Sequence, residues 1–134
     1  MVRPASADSL AHLEAALGVP LTRNATGIEA VSGERVRGIL ALDGWTPASV
    51  QAHILASPLA TGRLLEAGKA YVFGQLGLRV VFASIRSDNL RALRFASHAG
   101  LEVEHRFRDV YGKGVDMVVL RLERGEVLEG RMAA

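Results

Sequence analysis

Three groups of residues in this chain have types and spacings that could do chemistry. Gly62-Arg-Leu-Leu-Glu-Ala-Gly68-Lys69 has the glycines and lysine of a phosphate-gripping loop, in which backbone N–H groups and an ammonium neutralise a polyphosphate. Its glycines are five residues apart where four are required, Ala70 stands where a hydroxyl would hold magnesium, and the stretch lies inside a helical pattern. The second group is the histidines. His12, His53, His98 and His105 are scattered, and no pair has zinc-site spacing beside a third ligand. A Ser-His-Asp arrangement assembled by folding stays open, but there is no Gly-x-Ser-x-Gly elbow. Cysteine is absent, which removes disulfides, thiolate metal sites and a cysteine nucleophile.

The third group is Ser87-Asp88-Asn89-Leu-Arg-Ala92-Leu-Arg-Phe95-Ala-Ser-His-Ala-Gly100-Leu101-Glu102. Ser87 or Asp88 can cap a helix here, Ala92, Phe95, Ala96 and Ala99 recur along one face, and Gly100 is a C-terminal stop. On its own this is also how an ordinary capped, closely packed helix reads.

The flanking elements follow from periodicity. Leu10, Leu13, Glu14 and Leu17 predict a first helix, capped by Ser6 or Asp8 and ended by Gly18 and Pro20. Residues 27–31 and 36–42 predict a hairpin around Ser32-Gly33-Glu34, and 50–56 a mostly apolar third strand after the loop Asp43-Gly-Trp45-Thr-Pro47. Leu64, Leu65, Gly68, Tyr71, Val72 and Leu76 predict a helix over 59–75, stopped by Gly77. A buried strand over 79–85 precedes the Ser87 helix. Strands over 101–107 and 115–122 follow it, joined by the turn Tyr111-Gly-Lys-Gly114. The strand–helix–strand unit in the middle requires a parallel pair with a right-handed crossover. The order is helix, three strands, helix, strand, helix, two strands, and residues 126–134 are expected to be a flexible tail.

Composition agrees with one domain. The 134 residues are too few for two separate cores, 49% are apolar and 22% charged. Up to Ala56 there are four basic and five acidic residues; from Ser57 there are twelve and nine. That mild basic tilt suits a small anionic ligand at least as well as a nucleic acid, which wants a denser basic stripe. No run has signal-peptide character or approaches the roughly 20 apolar residues of a membrane span. No nucleic-acid partner, no membrane and a cytoplasmic location are the expectations.

With this element order, the Ser87 segment resembles the GNAT superfamily of acyl-CoA-dependent N-acetyltransferases. Their last helix looks like Asn-x-x-Ala-(seven residues)-Gly-Phe; Asn89, Ala92 and Gly100 match, with Leu101 in the Phe position. The following strands look like the end of that family, above all its ribosomal-protein-type branch and short phage and prophage acetyltransferase-like proteins. The resemblance covers about residues 36–123. It implies an α/β fold with a GNAT-like mixed central sheet, a splayed parallel strand pair and flanking helices, as a single acyl-CoA N-acyltransferase-like domain over 1–134. It implies acetyl-CoA as co-substrate, no metal, and direct attack by the amine of a small molecule or protein, with a homodimer as a possible partner.

The resemblance also assigns residues. A backbone N–H near Leu55 or Ala56 polarises the thioester carbonyl. N–H groups of Ala60, Thr61, Gly62 and Arg63 meet the cofactor phosphates, the alternative being a plain helix start. Asn89 bonds the pantetheine arm or an ordered water, and Arg94, with Arg86 and Arg91, attracts the 3′-phosphate unless that face is merely solvated. His53 is the base, or else a buried histidine bonded to a neighbour. Gln51 orients the acceptor. Trp45 walls its pocket, or plugs the end of the core.

The chain departs from the family in three places. Only Gly62-Arg63 and the leucines after it fit the pyrophosphate loop. Ala96 stands where many members carry the tyrosine that protonates the leaving thiolate. The N-terminal part offers one helix where a strand and two helices are usual. The competing reading is a catalytically inactive GNAT-fold protein that binds CoA or serves phage assembly.

Overall fold

The computed structural model describes residues 1–125, so the tail expected over 126–134 lies outside the described residues. The chain forms two compact units, Met1–Leu78 and the residues from Arg79 onward.

The first unit runs β1 (Val2–Pro4), α1 (Ala7–Leu17), β2 (Thr26–Ser32), β3 (Arg35–Asp43), β4 (Ser49–Ala56) and α2 (Pro58–Lys69). Its strands pair antiparallel in the order β1-β2-β3-β4. Side chains alternate across β3, and a helix covers each set. Ile39 and Ala41 receive the fully buried Leu13 of α1, with Leu10, Leu17 and Leu55 around them. Gly38 and Leu40 receive α2. A Cβ on Gly38 would lie 2.7 Å from Leu64, and one on Gly68 would lie 2.5 Å from Leu40. Ser6 caps α1 by accepting the Ser9 N–H, and Gly18, at φ 65°, ends it. The helix expected over 59–75 is α-helical only to Lys69. It continues as a π-helical turn, Ala70–Gln75, that buries Val72 and Phe73.

The N-terminal expectation needs correction, because a strand precedes the helix. β1 pairs Arg3 with Glu29 and Val2 with Ala30. Three residues containing a proline carry no periodic signal; pairing to β2 and an ion pair between the half-exposed Arg3 and the buried Glu29 hold the strand in place. Glu29 has only 1% of its side chain exposed. It accepts from Arg3 at 2.9 Å and from the Ser6 N–H at 3.1 Å.

The second unit runs β5 (Val80–Arg86), α3 (Leu90–His98), β6 (Glu102–Gly112) and β7 (Val115–Glu123), with antiparallel order β5-β7-β6. Ala96 of α3 is buried against Val118 and Leu120, with Leu93, Ile85 and Leu101 alongside. Gly100, at φ 97°, turns the chain into β6. That strand runs to Gly112, five residues past the expected end at 107, because the hairpin turn narrows to Lys113-Gly114.

Burial pushes the Glu29 carboxyl up. The Ser9 hydroxyl, the Ser6 N–H and Arg3 outweigh that and hold it below its ordinary value of 4.5. A depressed carboxylate stabilises the fold above its unfolded pKa, and that stability is lost as pH falls through the folded value. Thermal melts are therefore expected to show wild-type stability falling through this acid range. Glu29→Gln should be less stable at neutral pH and should show a shallower fall. Parallel profiles for the two proteins would remove Glu29 as the cause.

Candidate functional site

The β3–β4 register creates the chemically most capable pair in the first unit. Ala41 lies opposite His53 and Asp43 opposite Gln51. Residues 43 and 53 are thus diagonal neighbours on one face, within reach of each other's side chains. His53 Nε2 is 2.8 Å from Asp43 Oδ1, with 8% and 4% of the two side chains exposed. The other carboxylate oxygen accepts the Thr22 N–H at 3.0 Å. An ionised carboxylate only accepts hydrogen bonds, so the bond puts the imidazole proton on Nε2 and leaves Nδ1 as an acceptor. No described residue bonds Nδ1. Among the described residues no buried side-chain nitrogen or oxygen lacks a partner, so Nδ1 reaches solvent. A histidine held by a carboxylate with its second nitrogen open can take up a proton.

In the sequence Asp43 reads as the first residue of the loop Asp-Gly-Trp-Thr-Pro; in the structure it is the last residue of β3. The signal that could have found it is register: an aspartate ending one strand of a hairpin, ten residues before a histidine on the next. Gln51 is half-buried on the same face, beside the Gly44 turn. Trp45 is half-buried and donates its indole N–H to Asn24 O at 3.1 Å, bracing the loop before β2.

The start of α2 differs in its hydrogen bonding from the expected phosphate cradle. The helix begins at Pro58, so Ala60 and Thr61 donate their N–H groups to Ser57 O at 3.0 and 3.2 Å. The Thr61 hydroxyl donates to the same carbonyl, at 2.9 Å. Gly62 and Arg63 are exposed, and a Cβ on Gly62 would meet nothing within 4 Å.

In the second unit, the cap of α3 is Asn89 itself, correcting the choice of Ser87 or Asp88. Its Oδ1 accepts the Ala92 N–H at 3.1 Å. The Ser87 hydroxyl instead accepts the Asp116 N–H. Asp88 forms a two-pronged pair with Arg86, which holds the Asp88 carboxyl below its ordinary range and raises the Arg86 guanidinium. Arg86 also lies over Tyr111, and Arg91 over Phe95. Arg94 is exposed, and Ala96 is buried.

A groove of about 550 Å³ opens in the first unit between the first turns of α1, the start of β3 and the end of β4. Leu55 and Ala56 line it, together with Asp8, His12 and Arg37, none of which the sequence pointed to as a ligand-binding residue.

The fold that carries these residues is that of the GNAT-type acetyltransferases. A spermidine/spermine N-acetyltransferase of Vibrio cholerae, solved in mutant forms, superposes with a TM-score of 0.75 at 13% identity, over 96% of this chain and 97% of its own. A Salmonella typhimurium protein assigned as an acetyltransferase, solved with its cofactor acetyl-CoA, gives 0.72 at 16%, over 92% and 93%. A Desulfovibrio desulfuricans protein assigned to the GNAT family gives 0.70 at 16%, over 92% and 99%. No family model and no curated protein sequence matches the chain.

Glycine inside a helix costs about 0.5–1 kcal/mol relative to alanine, and Gly62 has open space where a Cβ would stand. Gly62→Ala is therefore expected to stabilise the free protein by about that amount. Urea unfolding reads the change, and a destabilised variant would show that the position is not open.

Proposed function

We propose that this chain is an acetyl-CoA-dependent N-acetyltransferase that acts on an amine by direct attack, with His53 as general base and Asp43 positioning it. The observation that carries the reading is the Asp43–His53 pair with Nδ1 open, set in a chain with an acetyltransferase fold. The Vibrio neighbour's spermidine/spermine activity supports a small-molecule amine as acceptor.

An alkylammonium ion has a pKa near 10, so the nitrogen must lose a proton before it can attack at neutral pH. His53 Nδ1 takes that proton, directly or through a water. Asp43 fixes the ring and balances the imidazolium that forms. The freed nitrogen bonds to the acetyl carbon, the carbon–sulfur bond breaks, and the second proton shed by that nitrogen passes through water to the leaving thiolate. At the start of α2, Gly62 allows close approach of the cofactor phosphates and Arg63 supplies a positive charge.

The competing reading is a CoA-binding protein without catalysis. The alanine at position 96, where a phenol would serve as acid, favours it.

Calorimetry with acetyl-CoA followed by thiol release with a panel of amines separates the two. Binding and turnover are expected; binding without turnover supports the second reading, and no binding at millimolar cofactor overturns both. His53→Gln keeps a donor for Asp43 but cannot act as the base. It is expected to lower kcat/KM at neutral pH by about 10²-fold or more, with the deficit shrinking as pH rises toward the amine pKa. An unchanged rate would remove His53 as the base.

A further inference from the structure

The groove beside β4 carries a pattern of charge that the acetyl-transfer reading does not use. We infer that it takes the far end of the acceptor, and that this end is anionic: the substrate is an amine joined by an apolar spacer to a carboxylate or phosphate. The inference rests on the acetyl-transfer reading and specifies its acceptor.

Position comes first. Leu55 lines the groove and lies on the same face as His53, two residues further along β4. A strand rises about 3.4 Å per residue, so the groove begins about 7 Å from the base. Arg37 lines it further along, and its carbonyl accepts the Ser57 N–H at 2.9 Å. That level is four residues from His53, about 14 Å along the strand. A nitrogen placed at His53 therefore leaves the other end of a short, extended molecule beside Arg37. The groove's volume of about 550 Å³ also falls within the range of small-molecule sites, about 300–1,000 Å³.

Charge comes second. The Arg37 guanidinium has no hydrogen-bond, ion-pair or aromatic partner among the described residues. Its fork of N–H donors matches a carboxylate or phosphate. The facing helix contributes His12 and Asp8. Asp8 sits in the first turn of α1, where the positive end of the helix offsets part of its charge. Ser9 adds no charge, and its hydroxyl takes part in the Glu29 cluster. Between His53 and Arg37 lie Ile39 and Leu55, which suit a hydrocarbon spacer. A polyamine would bring further positive charge to a groove that already holds an unpaired guanidinium.

The test compares ε-aminocaproate, its uncharged amide and spermidine as acceptors for the wild type and Arg37→Gln, by thiol release at saturating acetyl-CoA. The wild type is expected to favour ε-aminocaproate over the amide by tenfold or more in kcat/KM. Arg37→Gln should erase that preference through the acceptor KM, with the acetyl-CoA KM unchanged. Equal use of acid and amide by the wild type, or preference for spermidine, would overturn the inference and leave acetyl transfer standing. So would a rise in the acetyl-CoA KM alone, which would assign Arg37 to the cofactor. Release with none of the three, while acetyl-CoA still binds, would count against the acetyl-transfer reading itself.

Discussion

A buried carboxylate is tolerated only where its oxygens find partners, because an unpaired charge in an apolar interior costs several kcal/mol. Asp43 meets this condition by tying together three pieces of chain. It closes β3, takes the Thr22 N–H from the loop before β2, and takes the ring of His53 from β4. Each contact depends on the others. A one-residue slip of β4 against β3 would turn His53 to the opposite face and leave the carboxylate unpaired. The packing of α1 reinforces the same register, since Leu13 fits over Ile39 and Ala41 on the face that Asp43 and His53 share.

The same bond that satisfies the carboxylate prepares the histidine. A free imidazole exchanges its proton between two nitrogens, while one held by a carboxylate keeps it on the bonded nitrogen and offers the other as an acceptor. Structural stability and proton-transfer competence therefore come from one contact. The second unit shows the other outcome. Asn89 spends its oxygen on capping α3, Ser87 spends its hydroxyl on the Asp116 N–H, and Arg86 is held by Asp88. The polar groups there chiefly secure the entry to a helix.

How far the sequence could be read depended on the range of the interactions. Helix α3 was legible because Ala92, Ala96 and Ala99 repeat at helical spacing and Gly100 terminates the run. Its cap was not, because Ser87, Asp88 and Asn89 are all cap formers and only the backbone chooses among them. The strand Val2–Pro4 was invisible because its stability comes from Glu29, more than twenty residues away. The end of the long helix at Gln75 was legible from Gly77, but its change to a π-helical turn after Lys69 was not, because apolar spacing does not separate the two helix types over one turn. His53 could be proposed from its place on a strand. Asp43 could not, because its role exists only once two strands are in register.

The glycines show where the fold sets a residue and where it does not. A Cβ on Gly27 would lie 2.6 Å from the Leu40 carbonyl oxygen, and one on Gly38 would lie 2.8 Å from Ala56. Gly38 and Gly68 allow β3 and α2 to approach closely, so packing alone accounts for them. Gly62 has the helical cost of glycine with no contact in return. Packing therefore accounts for glycine at 38 and 68 and leaves position 62 unconstrained, as it also leaves Gly74, where a Cβ would likewise meet nothing within 4 Å.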